Sequence, residues 1–404
     1  MLSVQEAFHL ILQTVKPVTP HQCSLLEAYH CVLAEGTVSD VNVPPFDKAL
    51  MDGFAVRSAD LPTGEATLQI QETIYAGSVP TLPLQAGQTS QIMTGAPLPE
   101  GADAVVQIEH CIINEKQQAV QIETSPVTPG KNMLYRSSVL EAGATVLEAG
   151  TFLRPQEIGA LAETGSPFVS VRRAPSLAIL ATGDELVPPE QPPQPGQIRN
   201  SNEIMLHTQI VQSQANAIPL GIARDERNHL REKILEGLKS DFLLLSGGVS
   251  AGTLDLVPSE LQAAGVRQVF HKVNLKPGKP LWFGILEEAN RTPCYIFGLP
   301  GNPVSSMVCF ELFVKLAIRQ FMGFPTPEAV PVQARLQFEF QSKGNRPMYH
   351  PAQVEWKDGE AIVSPLKTLG SADLRSTVNA NAVALFPAGN QLYQAGDKVD
   401  TFLW

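Results

Sequence analysis

The segment Ser176-Leu177-Ala178-Ile179-Leu180-Ala181-Thr182-Gly183-Asp184 decides the fold, because a strand-length apolar run ends directly at a polar loop. Apolar runs that begin at Phe242 and Cys294 repeat this arrangement, and each leads into a glycine-containing loop. Amphipathic helical patterns separate the strands, and the first helix is expected to start at a cap on Ser201 or Asn202. Such alternation predicts a mostly parallel sheet with helices on both faces.

The regions on either side of residues 172–324 show a different pattern. Short strand-like segments separated by Gly/Pro turns occupy residues 60–140, and the same pattern returns from residue 325 to the end. We therefore predict a multidomain protein of the α/β + β class, with a central doubly wound α/β domain and flanking β-domains. A length of 404 residues also favours about two to four domains over one.

Composition argues against several classes of protein. The 40 acidic and 29 basic residues give a formal net charge of −11, which disfavours a nucleic-acid binder or a protein attached to an anionic membrane. No apolar run approaches the roughly 18 residues of a membrane span, and residues 4–15 have the pattern of an amphipathic helix rather than a leader. The 5 scattered cysteines form no C-x-x-C pair, so neither a disulfide framework nor a zinc site is indicated. We expect a cytoplasmic protein.

Polar residues follow the predicted strands, where ligands bind in doubly wound sheets. Glu185, Asp225 and Asp255 each follow a strand, and a hard cation such as Mg²⁺ prefers their carboxylate oxygens. One acidic residue after a strand more often caps a helix or faces solvent, but four polar strand ends in one domain favour a ligand-binding site. One of these loops supplies small residues whose amides can face an anion: Gly247, Gly248 and Ser250.

A turn with three lysines adds positive charge to the same domain. Lys276 and Lys279 lie within K-P-G-K-P, and Lys272 precedes them. Such a turn suits an oxyanion or a phosphate, although taken alone it is more simply an exposed turn with solvated lysines. A P-loop is disfavoured because Thr253 stands where its lysine belongs, and no G-x-G-x-x-G follows a predicted strand. The 8 histidines form no H-x-x-x-H or H-E-x-x-H pair, which leaves a histidine-zinc hydrolase without ligands.

Six motifs, in order along the chain, resemble those of the MoeA family, which includes the E domain of gephyrin. They are P-P-F-D-K-A-L-M-D-G-F-A-V-R (44–57), I-M-T-G-A-P-L-P-E-G-A-D-A-V-V (92–106), A-T-G-D-E-L (181–186), S-G-G-V-S-A-G-T-L-D (246–255), K-P-G-K-P (276–280) and G-L-P-G-N-P-V-S-S (298–306). The resemblance covers the whole chain and implies an elongated homodimer. It implies an N-terminal linking domain (1–43 and 139–171), an inserted β-domain (44–138), a MogA-like doubly wound α/β domain (172–324) and a small, barrel-like C-terminal β-domain (325–404).

The resemblance also implies an activity. Members of the family act as molybdenum insertases: they bind adenylated molybdopterin and molybdate, release AMP and place molybdenum on the dithiolene, with Mg²⁺ required. An adenylyltransferase of the MogA type is the expected partner. A diverged member that binds a pterin or nucleotide without turnover and a scaffold protein stay open as alternatives. Tungstate in place of molybdate also stays open, because the two oxyanions share charge and shape.

Matching the motifs residue by residue implies a role for each candidate. The active cleft would lie between the α/β domain of one subunit and the inserted domain of the other, which would contribute Asp52 and Thr94. The residues that would hold the metal or position the attacking oxygen are Glu185, Asp225 and Asp255. The residues that would bind molybdate or phosphate, or shape their site, are Lys272, Lys276, Lys279, Pro300, Pro303, Ser305, Arg346, Ser371 and Ser376.

Two segments depart from the family pattern. Lys48-Ala49-Leu50 stands where relatives carry N-S-A before M-D-G, and Ser137-Ser138-Val139 stands where they carry G-E-D. The second change removes a carboxylate that in relatives helps to build the cleft from the dimer partner. The motifs of the α/β domain are intact.

Overall fold

The protein is described by a computed structural model over residues 1–248, 256–289 and 291–404. Its first elements are helix α1 (Val4–Thr14) and strands β1 (His21–Ser24), β2 (Val32–Leu33) and β3 (Thr37–Val38). Helix α1 begins where two residues cap each other: Ser3 Oγ accepts a hydrogen bond from the Glu6 amide at 3.2 Å, and Glu6 Oε2 accepts one from the Ser3 amide at 2.7 Å. Val4, Ala7 and Ile11 on one face of α1 are buried in the largest core of the molecule.

The next segment forms a β-sheet module. Its strands are β4 (Lys48–Ala49), β5 (Gly53–Val56), β6 (Glu65–Ile74), β7 (Gln88–Ile92), β8 (Ala104–Gln107), β9 (Cys111–Asn114), β10 (Ala119–Glu123) and β11 (Met133–Leu134). Six of them form one sheet in the order β8-β5-β7-β6-β10-β9, with β6 and β7 parallel and the other neighbours antiparallel. Gly53 lies opposite Ile92, so Asp52 and Thr94, just outside this pair, lie at the same end of the sheet.

The chain then returns to pair with its own beginning. The returning elements are β12 (Thr145–Leu147), α2 (Pro155–Glu163) and β13 (Phe168–Arg172). Strand β12 pairs with β3, and β13 lies between β1 and β2 in a three-stranded sheet. A small core that includes Leu33, Leu161 and Val171 joins the two parts. The β module is therefore an insertion into an N-terminal unit, as the resemblance implied, while the exact domain boundaries stay predictions.

The central part of the chain alternates strands and helices. Its elements are β14 (Ser176–Thr182), β15 (Leu186–Val187), β16 (Ile198–Arg199), α3 (Ser201–Gln212), β17 (Asn216–Ala223), α4 (Arg227–Gly237), β18 (Phe242–Ser246), α5 (Val257–Ala263), β19 (Arg267–His271), β20 (Trp282–Leu286), β21 (Cys294–Leu299), α6 (Pro303–Cys309), a π-helical turn (Phe310–Val314) and α7 (Lys315–Met322). Six described strands form a sheet in the order β17-β14-β18-β21-β20-β19, of which the first four are parallel. Strand β20 is antiparallel to both of its neighbours.

Both faces of this sheet are buried. Leu177 and Ile179 of β14 lie in one hydrophobic core, whereas Ala178 and Leu180 lie in another. Since successive side chains of a strand point to opposite faces, the two cores cover the two faces of the sheet. The predicted doubly wound α/β domain is confirmed.

The predicted cap of α3 is wrong by one or two residues. Asn200, not Ser201 or Asn202, is the N-cap, and its side chain accepts a hydrogen bond from the Glu203 amide at 3.3 Å. Asn202 is instead buried, and its Nδ2 donates to Ser246 Oγ and to Gly301 O, both at 2.8 Å. Asn202, which the local pattern predicted as a possible cap, therefore joins the ends of two strands instead.

The C-terminal part is a small closed barrel, as predicted. Its strands are β22 (Val332–Leu336), β23 (Phe340–Gln341), β24 (Met348–Lys357), β25 (Glu360–Pro365), β26 (Ala382–Phe386), β27 (Leu392–Tyr393) and β28 (Lys398–Leu403). The barrel closes in the order β22-β25-β24-β26-β28 around a core that includes Ala334, Val363 and Phe386. In the part of the chain that the structure describes, no helix is both long and apolar enough to cross a membrane.

We expect Asp241→Asn to destabilise the α/β domain. Asp241 is only 6 % exposed, and its carboxylate accepts hydrogen bonds from Arg173 (2.7 and 2.8 Å) and from Ser176 (2.8 and 2.9 Å). Burial alone raises the pKa of this carboxyl, but the hydrogen bonds outweigh burial and lower it. The resulting stabilisation is present above the unfolded-state pKa and is lost as the pH falls through the lower folded-state pKa.

Chemical denaturation at pH 7 should give a free energy of unfolding about 1.5–3 kcal/mol lower for Asp241→Asn, the range for hydrogen bonds to a charged group. The difference from wild type should shrink as the pH falls below about 3.9, the ordinary pKa of aspartate. The control is Asp358→Asn in an exposed turn, expected to change stability by less than about 0.5 kcal/mol. Equal stability of Asp241→Asn and wild type at pH 7 would contradict the prediction.

Candidate functional site

Two adjoining cavities lie where the parallel strands end. They share Pro280, Pro300 and Asn302 in their walls. The first, here called the lysine cavity, has a volume of about 620 Å³, and its walls include Lys276, Lys279, Ser305, Arg346 and Ser371. The second, here called the loop cavity, has a volume of about 660 Å³, and its walls include Glu185, Gly247 and Pro303. The structure thus brings together nine predicted site residues, with Pro300 in both walls.

The C-terminal barrel holds the lysine turn in place. The Lys276 amide donates to Pro347 O at 2.8 Å, and the Tyr349 amide donates to Lys276 O at 2.8 Å. Arg346 Nη1 donates to Leu275 O at 2.8 Å. These hydrogen bonds join the turn to the start of β24, so the position of the lysines depends on both domains.

The lysine cavity is strongly basic. Its charged wall residues, among the described part of the chain, are all cationic: Lys276, Lys279, Lys343 and Arg346. His350 also lines the cavity, and burial, followed by the Lys276 charge, lowers its pKa, so the ring is neutral at pH 7. Sequence reasoning missed Lys343, because its loop between β23 and β24 has no pattern beyond its polarity.

A loop of the barrel completes the wall between the two cavities. Asn302 Nδ2 donates to Ser371 Oγ at 3.0 Å, and the Val304 amide donates to Ser371 O at 3.0 Å. Ser305 beside this contact is buried and lines the lysine cavity. Sequence reasoning also missed Asn302, although it lies inside the quoted G-L-P-G-N-P-V-S-S motif.

Within the part of the chain that the structure describes, four predicted residues of the α/β and C-terminal domains line neither cavity: Ser376, Lys272, Gly248 and Asp225. Ser376 Oγ donates to Asp373 O at 2.7 Å within a short helical turn. Lys272 precedes the lysine turn with a φ of +70°, and its amide donates to Leu281 O at 2.8 Å. Neither side chain lines the lysine cavity or the loop cavity.

The loop after β18 requires its glycines. A Cβ on Gly247 would lie 2.9 Å from Thr182 O, and one on Gly248 would lie 2.7 Å from Thr182 Oγ1, while both φ angles are positive, at +92° and +63°. Thr182 Oγ1 and Asn202 Oδ1 are buried without a hydrogen-bond partner, and both residues line the loop cavity. Ser250, predicted on the same loop, lies outside the described residues.

The predicted metal ligands Glu185 and Asp225 follow neighbouring strands and are exposed. The Asp225 amide donates to Asp184 Oδ1 at 3.2 Å, which joins the two loops. Asp255, the third predicted ligand, lies outside the described residues, and within them no three His, Cys, Asp or Glu side chains form a metal-binding group. Mg²⁺ commonly takes one or two carboxylates together with water and substrate phosphates, so this donor set fits a metal that binds with the substrate.

Asp52 and Thr94 are in direct contact. Asp52 Oδ1 accepts hydrogen bonds from the Thr94 hydroxyl and from the Thr94 amide, both at 2.7 Å. These bonds, the hydroxyl first, lower the pKa of Asp52 and favour its charged form. Both side chains are exposed and lie outside the two cavities of their own chain.

The two departures from the family pattern lie at the base of the inserted module. Strand β4 contains Lys48 and Ala49 and pairs with β11, and the Leu50 amide donates to Asn132 O at 2.9 Å. The Val139 amide donates to Val43 O at 2.9 Å. Both changed segments therefore lie where the chain enters and leaves the inserted module.

Three family models match successive parts of the chain. The MoeA N-terminal region (domain I and II) matches residues 2–165, the probable molybdopterin binding domain matches residues 178–320, and the MoeA C-terminal region (domain IV) matches residues 333–404. They follow the order of the parts seen in the fold.

Individual relatives match over the full length. The molybdopterin molybdenumtransferase of Bacillus subtilis (strain 168) is 33% identical over 410 residues, covering 100% of this chain and 94% of the relative. The protein of the same name from Nostoc sp. (strain PCC 7120) is 34% identical, covering 99% and 93%. Among solved structures, the molybdopterin biosynthesis moeA protein from Pyrococcus horikoshii OT3 covers 100% of both chains at 29% identity, with a TM-score of 0.79.

Proposed function

This chain belongs to the MoeA family, and from that premise we propose that it is a molybdenum insertase. It acts in molybdenum cofactor biosynthesis as a transferase. In the proposed reaction the protein binds adenylated molybdopterin and molybdate, releases AMP by hydrolysis and places molybdenum on the dithiolene. A diverged member without turnover is not favoured, because the similarity to molybdenumtransferases extends over the full length.

The lysine cavity is the observation that supports this proposal most. Molybdate is a tetrahedral dianion, and adenylated molybdopterin carries a phosphoanhydride. Four cationic side chains and the Ser305 hydroxyl in one concave wall are the donors that such anions require. Because the whole protein carries a net charge of −11, this basic pocket concentrates anions at one place on an otherwise acidic surface.

The loop cavity beside it supports the hydrolytic step. Glu185 in its wall, together with Asp225 on the neighbouring loop and Asp255, would hold Mg²⁺ or position the attacking oxygen. A divalent cation neutralises charge that develops when a phosphoanhydride is cleaved. The residues of the chain then orient the reactants: the lysines hold the oxyanion, and the shared wall at Pro300 and Asn302 keeps it next to the adenylate.

We further propose a homodimer in which Asp52 and Thr94 act in the cleft of the partner subunit. Their exposure and their position outside the walls of both cavities of their own chain support this arrangement. A MogA-type adenylyltransferase would deliver the adenylated substrate in the cytoplasm. Ordering of Asp52 by Thr94 would present a charged carboxylate to the partner's cleft.

Single-turnover release of AMP from adenylated molybdopterin, with molybdate and Mg²⁺, tests the reaction. We expect wild type to release AMP and form active cofactor, and Asp255→Ala to lose at least about 100-fold in rate, as is typical when one group that stabilises transition-state charge is removed. Asp358→Ala, an exposed carboxylate in a turn of the barrel, is the matched control and should keep the wild-type rate. If wild type binds the adenylate but yields neither AMP nor cofactor, the insertase proposal is wrong and a member without turnover takes its place.

Mixed dimers test whether the cleft is shared. Homodimers of Asp52→Asn and of Lys276→Ala/Lys279→Ala are both expected to be inactive. In a heterodimer of the two variants, one cleft carries every defect and the other carries none, so about half of the wild-type activity should return. If each cleft is built from a single subunit, both clefts of the heterodimer stay defective, and the absence of recovery refutes the shared cleft.

A further inference from the structure

The loop cavity has a cationic wall residue to which the proposed reaction gives no role. Arg199 lines this cavity, and among the described wall residues only Arg199 and Glu185 are charged. The lysine cavity next to it differs, because it has four cationic wall residues and no described acidic one. The two cavities therefore suit different anions, and the ligand of the loop cavity has to satisfy both a carboxylate and a guanidinium.

A pair of short parallel strands places Arg199 beside Glu185. Strands β15 and β16 pair with Leu186 opposite Ile198 and Val187 opposite Arg199. The Ile198 amide donates a hydrogen bond to Glu185 O at 2.8 Å, which extends the pairing to the start of β15. The two charged wall residues of the loop cavity therefore belong to neighbouring segments whose backbones are hydrogen-bonded to each other.

The protein uses only one nitrogen of the Arg199 guanidinium. Arg199 Nε donates to Pro189 O at 3.0 Å, which ties the side chain to the proline-rich loop between β15 and β16. Among the described residues Arg199 has no ion-pair partner, its two Nη groups make no hydrogen bond, and the side chain is exposed. A guanidinium that is held through Nε presents its remaining N–H groups as a planar fork, which matches the oxygens of a phosphate.

The start of helix α3 adds positive charge to the same wall. Arg199 directly precedes the N-cap Asn200, and the first helical residues, Ser201 and Asn202, line the loop cavity. The first amides of a helix have no acceptor within the helix, and the helix dipole favours an anion at this end. Arg199 and the first turn of α3 thus act together on an anion in this cavity.

These charges favour a phosphate that binds together with a divalent cation. Glu185 repels a bare dianion, whereas a phosphate with Mg²⁺ satisfies the carboxylate and the guanidinium at once. The volume of about 660 Å³ is typical of small-molecule sites, and the exposed side chain of Ile198 adds apolar surface for the rest of a nucleotide. We propose that Arg199 binds the phosphate of the adenylyl group, an inference that rests on the proposed function and adds a substrate contact to it.

Calorimetric titration of the full-length protein with AMP and with adenosine, at constant Mg²⁺ concentration and ionic strength, tests the proposal. Arg199→Met should weaken AMP binding by at least about tenfold, the effect of one hydrogen bond to a charged group. Arg199→Lys should weaken AMP binding about threefold to tenfold, because lysine keeps the charge but lacks the planar fork. Adenosine has no phosphate, so neither variant should change its affinity. The AMP affinity of wild type should also fall more steeply with salt than that of Arg199→Met.

Arg267→Met is the matched control. Arg267 is 61% exposed, pairs with the equally exposed Glu287 and lines neither cavity, so its loss should leave the AMP affinity within about twofold of wild type.

Three results would overturn the proposal. They are no binding of AMP to wild type; equal AMP affinity in wild type and Arg199→Met; and an equal loss of AMP and adenosine affinity, which means that Arg199 only secures the loop at Pro189. Because these titrations need no turnover, the two proposals can fail separately. If wild type releases no AMP from the adenylate but its AMP binding depends on Arg199, only the insertase proposal is wrong. If wild type turns over and Arg199→Met binds AMP equally well, only the Arg199 contact is wrong.

Discussion

Lys276→Ala/Lys279→Ala is expected to lower the single-turnover rate of AMP release and cofactor formation by at least about 100-fold at limiting molybdate. Each lysine is expected to donate a charge-assisted hydrogen bond to the oxyanion, worth about 1.5–3 kcal/mol, so two contribute about 3–6 kcal/mol. That sum corresponds to a factor of about 10²–10⁴ in rate or affinity. Lys343 and Arg346 stay in the wall of the cavity, so some binding should return at high molybdate concentrations.

The matched control is Lys239→Ala/Lys398→Ala, which removes the same charge from two exposed positions outside both cavities. We expect this control to stay within about twofold of wild type, because exposed charges far from the site are screened by salt. Unchanged circular dichroism and melting temperature would show that both variants fold. A lysine variant that folds and keeps the wild-type rate at limiting molybdate would rule out the lysine cavity as the oxyanion site.

Gly53→Ala is expected to destabilise the inserted module by more than about 3 kcal/mol, beyond the usual cost of overpacking. A Cβ at this position would lie 1.9 Å from the carbonyl oxygen of Val106 on the neighbouring strand β8. The obstacle is backbone within a sheet, so no side-chain rotation relieves it. Strands β5 and β8 would have to separate, and Asp52, which precedes Gly53, would move with β5. Chemical denaturation and the AMP assay should therefore both report a loss.

Gly159→Ala is the control for this prediction. Gly159 lies on the exposed face of helix α2, and nothing lies within 4 Å of a Cβ at that position. Alanine has the higher helix propensity, so this variant should be unchanged or more stable by up to about 1 kcal/mol. If Gly53→Ala unfolds at the same denaturant concentration as Gly159→Ala, the β5–β8 pair adapts and the steric argument fails.

Much of the fold follows from local pattern. The apolar run in β14 and those in β18 and β21 are continuous, which is typical of strands buried on both faces, and all three are central strands of the parallel sheet. The Gly/Pro turns that separate short strands predicted the two flanking β-domains, whereas the family resemblance implied that one is inserted and that the other is barrel-like. The cap of α3 was missed, since Asn200, Ser201 and Asn202 are all suitable caps and a distant contact of Asn202 with Gly301 decides between them.

The candidate site, like the fold, was predictable from local patterns only in part. Motifs pointed to Lys276, Lys279, Ser305 and Glu185 because glycines and charged residues at strand ends are a local signal. Lys343 carries no such signal, since its loop has no pattern beyond its polarity and it lines the cavity only because the barrel packs beside the lysine turn. The role of Arg346 beside the lysine turn likewise depends on a hydrogen bond to Leu275, across a domain border.

The sequence by itself determined the order of the domains, the doubly wound sheet, the family and the residue types of an anion site with carboxylates beside it. These features could be predicted because hydrophobic periodicity, turn residues and short motifs each occupy about 5–20 consecutive positions. The tertiary structure alone decided that the barrel completes the lysine cavity, that Ser376 and Lys272 lie outside it, and that Thr94 holds Asp52. These features depend on the packing of segments that are distant in the chain, and no local pattern encodes such packing.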